Sequence, residues 1–379
     1  MPALVDPTAT SAKKAYFPAL TGLRAVAAGL VFLHHFNPFA PEQFGWRIHT
    51  LVAEAHVGVT VFFVLSGFLI GYRYLGEKRL ALRTYFANRF ARIYPMYFLL
   101  TTFVFVFNHH LSARDNTEQL MSYLLNISFL RGLFERFLYS GIAQGWSLTV
   151  EEMFYVSAPL AFWLIRRRWQ WLPGLPLALV ASGVGLVLLC HRLPWFGFFG
   201  SFGFLFQFTY LGRATEFFVG LGLAWWLLRR GQVSAPRGLT YAGLVGSLLC
   251  VGGLSLLHGR AIGAFGVLTP AGMFLNNVAL PLLGIGPLLW GLVGEATWLR
   301  RLLSTRLLVL LGKSSYVFYL IHMGVVQHLL HEWLGSDALT ALALYGLSIL
   351  LYWVVEEPLN LWLRRVLRRS VPPVPVLAR

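Results

Sequence analysis

The residues of this 379-residue chain with the most chemistry in them are ionisable groups set inside apolar segments. Arg24 and His35 both fall in LTGLRAVAAGLVFLHHFN, residues 20–37. Eleven steps of about 100° carry His35 about 20° past three full turns from Arg24, so the two side chains share one helix face, about 16 Å apart along the axis. An arginine can hold an anion, and an imidazole can exchange a proton near neutral pH. An arginine at depth in a membrane costs about 2.5–3.5 kcal/mol, so a helix that only crossed lipid would not carry one. The spacing predicts one wall of a site with two stations. His34 lies about 100° round the helix from His35 and reads as a packing or hydrogen-bonding residue.

Other segments repeat the pattern. AQGWSLTVEEMFYVSAPL places Glu151 and Glu152 in the first two turns of a helix that starts near Gly145, Trp146 and Ser147, with Tyr155 one turn further on. Thr149 and Glu152 have capping-box spacing, and carboxylates suit a helix N-terminus; two adjacent carboxylates exceed what one cap needs. Arg89 and Arg92 share a face just before Pro95, which cannot donate to the carbonyl of Ala91 and predicts a kink. They read either as snorkelling anchors or as a cradle for phosphates. Ser66-Gly67, mid-way along VFFVLSGFLIGY, allows close helix packing or leaves a gap lining a ligand channel. Arg213 and Glu216, one turn apart, predict a pair within the membrane, as a clasp or a functional element. Tyr316, Tyr319 and His322 drift along one face, and an unpaired imidazole there would be costly. Glu356 and Glu357 are placed to balance the charges of Arg24, Arg89 and Arg92. The aromatic and glycine run PWFGFFGSFGFLFQFTYLG reads as an outer aromatic belt or as a platform for stacking a sugar ring.

The elements that must position these groups follow from composition. The chain is 57% hydrophobic and 12% charged, with mean hydropathy +0.64, where a soluble domain carries about 25% charge. A soluble globular class is excluded, and the fold class is all-α, a polytopic membrane protein. Ten apolar segments, near 19–37, 56–75, 94–109, 147–165, 173–190, 211–228, 239–257, 272–294, 307–331 and 337–362, predict ten spans. With the N-terminus inside, 24 of the 31 Lys and Arg residues fall on the cytoplasmic side, leaving seven, Arg114, Arg131 and Arg213 among them, towards the outside. The formal charge of +16 is therefore topology rather than a nucleic-acid footprint. Both termini are expected in the cytoplasm: a tail at 1–15, a membrane domain at 16–363 and a basic tail at 364–379. The polar start with Lys13 and Lys14 leads into a span and predicts no cleavable signal peptide. The long outer connection at 110–145 holds an apolar stretch too short to cross, which fits an interfacial or partly buried helix. Cys190 and Cys250 sit in apolar runs as core residues. Zinc spacing, a glycine-rich phosphate loop and transporter-like repeats are absent from the sequence, so no metal and no permanently bound cofactor are expected.

Taken in order, these stretches resemble membrane acyltransferase family 3, which includes bacterial O-antigen acetylases and macrolide acyltransferases. The resemblance covers about residues 16–360. It rests on Arg24-x10-His35, FFVLSGF at 62–68, RFARIYP at 89–95, WSLTVEEMFY at 146–155, RATEF at 213–217, and LGKSSYVFYLIH followed by EEPL at 356–359. It implies transfer of an acyl group, usually acetyl, from cytoplasmic acyl-CoA as co-substrate to a hydroxyl of a carbohydrate or small hydroxylated acceptor, in the bacterial cytoplasmic (inner) membrane. Some relatives carry an appended extracytoplasmic domain. This chain ends soon after its tenth expected span, so transfer is expected to finish in the membrane domain or on a separate extracytoplasmic partner.

On this reading Arg24, with Arg89 and Arg92, docks the nucleotide end of CoA, and Ser66-Gly67 borders its path. His35 is the general base on the acceptor hydroxyl, oriented or charge-stabilised by Glu151. His34, Trp146, Ser147, Glu152, Tyr155, Arg213, Glu216, Tyr316, Tyr319 and His322 support the acceptor or the site. An acyl-histidine intermediate is a variant of the same chemistry. Two other classes compete: a transporter using the Arg, His and Glu residues as a substrate or proton path, and a non-catalytic scaffold of an envelope assembly. Failure to consume acyl-CoA would favour the first; free replacement of His35 and Glu151 would favour the second.

Overall fold

Inside hydrocarbon every backbone N–H and C=O must find a partner within the protein, which leaves helices or a closed barrel. In a computed structural model, residues 16–77, 79–109, 116–231, 234–261 and 263–369 are described, and they take the helical solution; among them the only β pairing is an isolated bridge between Phe134 and Phe198. The expected tail at 1–15, Lys78, Arg114 and residues 370–379 lie outside the described residues.

In chain order the principal helices are α1 (Pro18–His35), α2 (Trp46–Ala53), α3 (Gly58–Tyr74), α4 (Leu82–His109), α5 (Asn116–Ile127), α6 (Trp146–Arg167), α7 (Trp171–Cys190), α8 (Tyr210–Arg230) and α9 (Leu239–Leu257). They continue with α10 (Pro270–Gly294), α11 (Arg306–Ile321), α12 (Val325–Leu334), α13 (Asp337–Leu351) and α14 (Glu357–Arg369). A π-helical stretch at Leu275–Ile285 lies within α10, and another at Tyr352–Glu356 joins α13 to α14. All ten expected segments are helical. Seven helical runs among the described residues are long and apolar enough to cross a membrane, or eight if the bent pair α11–α12 is one span. α1 and α8 fall outside that set because Arg24 and the histidine pair, and Arg213 and Glu216, dilute their apolar character.

Three expectations change. The ninth segment is not continuous: α11 and α12 meet at 94°. Gly324 sits at the break with φ +88°, ψ −148°, a conformation closed to residues with a Cβ. The long outer connection at 110–145 takes the partly buried alternative where it is described. Arg131, expected at the outer surface, is fully buried and donates to the carbonyls of Ser140 and Ile142, tying the chain before α6 into a ring. Finally, Gly67 faces away from any channel. A Cβ there would run into the carbonyl of Phe217, and one on Gly220 into that of Val64, so these glycines let α3 and α8 pack backbone to backbone. The close-packing reading holds for Gly67; Ser66, 100° round the helix, takes the other side.

A candidate two-chamber site

Two cavities meet inside the bundle. The first, about 130 Å³, brings together Arg24, Arg89, Arg92, Ser66, Glu151 and Tyr155 from four helices, with Ser147, Tyr316 and Tyr319 closing it. Arg92 Nη1 lies 2.5 Å from Glu356 Oε1, so the carboxylate expected to balance the arginines does pair with one of them. Arg89 stands over the Tyr155 ring, 5.7 Å from its centroid. Among the described residues, no hydrogen bond or ion pair engages the Arg24 guanidinium. Glu151 accepts hydrogen bonds from the hydroxyls of Ser66 and Tyr155. Tyr316 donates to the carbonyl of Ile93 at 2.8 Å, bracing α11 against α4 where Pro95 breaks the hydrogen-bond ladder.

The second cavity, about 290 Å³, contains His34, His35, His56 and Arg213, with Trp146 and Phe265 among its aromatic walls. His34 Nδ1 donates to the carbonyl of Ala53 at 2.6 Å. His35 Nδ1 lies 2.9 Å from the carbonyl of Val31 and 3.2 Å from His322 Nε2, while His322 Nδ1 lies 2.9 Å from the carbonyl of Tyr319. A carbonyl can only accept, so both rings carry their proton on Nδ1 when neutral. The single His35 Nδ1–H is then shared between the Val31 carbonyl and, at longer range, His322 Nε2, and His35 Nε2 is left with an uncommitted lone pair at the cavity. His322 is fully buried behind it, at the last turn before the α11 break.

Arg213 is held in place rather than free. It donates to Glu216 at 2.9 Å, to the carbonyl of Gln207 at 2.9 Å and to Thr60 at 3.1 Å, and Thr60 donates on to Asn276. Glu216 is itself fully buried. The pair is a clasp on the wall of the second cavity. Glu152 lines neither cavity.

One expected partnership is not formed. Glu151 was placed beside His35 at similar depth, but it lies in the first cavity with its two hydroxyl donors, and His35 is oriented by His322 instead. Glu151 is five residues into α6, about 7.5 Å below its start, and the layer formed by Ser147, Gln144 and Tyr319 separates it from the second cavity.

A third cluster escaped the sequence reading. Glu54 is fully buried and accepts from His56 Nε2 at 2.9 Å, His258 Nδ1 at 2.8 Å and the Gly266 backbone N–H at 2.6 Å. It ties α2, the end of α9 and the segment before α10 together over the second cavity. The available signal was a carboxylate flanked by apolar residues in LVAEAHVGV, which a short polar loop does not require.

The fold defines a multi-pass integral membrane protein with two adjoining cavities, each carrying charged or imidazole side chains on a largely apolar wall, between its helices. Residues 17–357 match the acyltransferase family model described as an acyltransferase domain, and the chain belongs to that family of membrane acyltransferases. It is 29% identical to acyltransferase MdmB of Streptomyces mycarofaciens over 94% of this chain and 95% of that one. It is 27% identical to the peptidoglycan O-acetyltransferase OatA of Listeria monocytogenes over 84% of this chain and 50% of that one. Identity to the putative O-acetyltransferase SACOL0978 of Staphylococcus aureus is 24%, over 83% of this chain and 51% of that one. The chain thus matches about half the length of the latter two. No solved structure matches it.

Proposed function

We propose that this protein moves an acyl group, acetyl in the simplest case, from acyl-CoA to a hydroxyl of a carbohydrate or other hydroxylated cell-envelope acceptor. The observation that carries this reading is the juxtaposition of the two cavities: three arginines in one, an oriented imidazole in the other. Arg24, Arg89 and Arg92 suit the phosphates of the donor, because a guanidinium fork matches phosphate oxygens. On the positive-inside distribution, that end faces the cytoplasm of a bacterial inner membrane, where acyl-CoA is made, and both termini lie there too. The pantetheine arm then extends past Ser66 towards Tyr319.

His35 is the general base. Its Nε2 lone pair takes the proton of the acceptor hydroxyl as the oxygen attacks the thioester carbonyl; the Val31 carbonyl keeps the ring in the tautomer this needs and His322 helps to orient it. Glu151 acts from the donor side, where its charge offsets the arginines and its two hydrogen bonds hold Ser66 and Tyr155 against the arm. The aromatic and imidazole walls of the second cavity suit a hydroxylated ring with an apolar face. An extracytoplasmic partner that carries the acyl group further fits the longer relatives, which extend beyond the part matched here.

The test is mass spectrometry of envelope glycans and small metabolites from cells with and without the gene. A gain of one acyl mass on a hydroxylated species is the expected result. Identical spectra, together with membranes that neither bind nor consume labelled acetyl-CoA, would refute the reading and favour transport.

A further inference from the structure

The acyl carbon of the donor has to be reached from both sides: the thioester arrives through the first cavity and the attacking hydroxyl through the second. Among the described residues, Val59 and Tyr319 alone line both. Only Tyr319 carries a hydrogen-bond donor. Its hydroxyl lies 3.0 Å from the carbonyl of Gln144, a wall residue of the second cavity, and 2.8 Å from the hydroxyl of Ser147, a wall residue of the first. The phenol oxygen therefore stands in the partition itself, and Tyr319 is only 7% exposed. In so dry a place a fixed donor stabilises developing negative charge far more than it would in water.

The local hydrogen inventory leaves this proton available. The Tyr319 and Ser147 hydroxyls both reach the Gln144 carbonyl, Ser147 at 3.2 Å. One of the two protons satisfies that acceptor. When Ser147 supplies it, the Tyr319 proton can turn to a substrate without orphaning a buried group. The Tyr319 backbone is pinned at the same time, because Gln144 Nε2 donates to its carbonyl at 2.9 Å and to that of Leu320 at 3.0 Å.

Building on the acyl-transfer reading, we propose that Tyr319 is a catalytic residue, the donor that stabilises the oxyanion of the tetrahedral intermediate. The acceptor oxygen forms a bond to the thioester carbon while its proton passes to His35 Nε2. The carbonyl π electrons move onto oxygen, which accepts the Tyr319 O–H. As the carbonyl re-forms, the C–S bond breaks, and the departing thiolate takes the proton back from the His35 imidazolium. Ester and free thiol are the products, with no net gain or loss of protons.

The experiment uses native membranes that retain their own acceptor, with [14C]acetyl-CoA as donor, and compares wild type, Tyr319→Phe and a series carrying fluorotyrosines at 319. Loss of one oxyanion donor costs about 10²–10³ in kcat, so Tyr319→Phe should lose that much while KM for acetyl-CoA stays within about twofold. Rates in the fluorotyrosine series should follow phenol acidity while the hydroxyl stays protonated. A purely structural tyrosine would give a flat series. Wild-type kcat in Tyr319→Phe, or that flat series, overturns the proposal. Wild-type membranes that consume no acetyl-CoA overturn the acyl-transfer reading and this proposal with it.

Discussion

Replacing His322 with phenylalanine isolates the contribution of imidazole orientation. The ring already stacks on Phe318 at 5.8 Å with 12° between planes, so an aromatic of similar size keeps the packing. Little is orphaned: the carbonyl of Tyr319 keeps its bond from Gln144, and His35 Nδ1 keeps the carbonyl of Val31 at 2.9 Å. What disappears is the 3.2 Å bond from His35 to His322 Nε2. A neutral buried hydrogen bond contributes about 0.5–1.5 kcal/mol net, which at 1.36 kcal/mol per decade is about 2- to 13-fold in kcat. Removing the base itself, by His35→Ala, should cost about 10²–10⁴-fold. Acetyl transfer in native membranes measures both, and the double variant closes the cycle. If His322 acts only through His35, adding His322→Phe to His35→Ala changes the residual rate by nothing measurable. Equal losses from the two single variants, or a further loss in the double, would show that His322 has a role of its own and refute the orientation argument.

Three further outcomes follow from the geometry. Arg24→Ala should raise KM for acetyl-CoA by about 10- to 100-fold, the worth of a charge-assisted hydrogen bond of about 1.5–3 kcal/mol, with kcat nearly kept; lost kcat at constant KM would contradict phosphate binding. Glu54→Ala strands two buried donors, those of His258 and Gly266, at about 1–3 kcal/mol each and removes the partner of half-buried His56, so the thermal midpoint of the purified protein should fall well below that of Glu54→Gln, which keeps one acceptor oxygen. Neighbouring residues 66 and 67 should part company: Gly67→Ala overpacks the α3–α8 contact at about 1–3 kcal/mol and lowers folded yield, while Ser66→Ala folds normally. Equal yields would disprove the packing assignment.

Much of this architecture was legible in the sequence because its signals are one-dimensional. Hydropathy located the ten apolar segments, but α4 starts twelve residues earlier than expected, at Leu82, in a stretch that carries Arg83, Arg89 and Arg92, and the ninth segment is broken into α11 and α12. Spacing within a helix was equally readable: Arg213 does clasp Glu216, three residues on. The α11 break was harder, since a lone glycine in an apolar run is usually absorbed by a helix. Gly324 instead takes a positive φ, and the turn it permits brings His322 to the end of α11.

What the sequence could not reveal is which cavity each charged side chain enters. Depth along the membrane follows from counting residues; azimuth around the bundle depends on how helices pack, and packing here is set by contacts between residues far apart in the chain. His35 meets His322 across 287 positions, and Ser66 meets Glu151 across 85. Glu151 and His35 looked like partners because both count to the outer half. The deciding fact is the layer between them, built by Gln144 and Ser147 at the start of α6 and Tyr319 on α11. Arg131 shapes the chain on the α6 side of that layer, from inside the ring of carbonyls that it closes. A buried cation with no ion-pair partner among the described residues is tolerated there because its guanidinium spends its donors on the backbone oxygens of Ser140 and Ile142, which fixes the chain leading into α6.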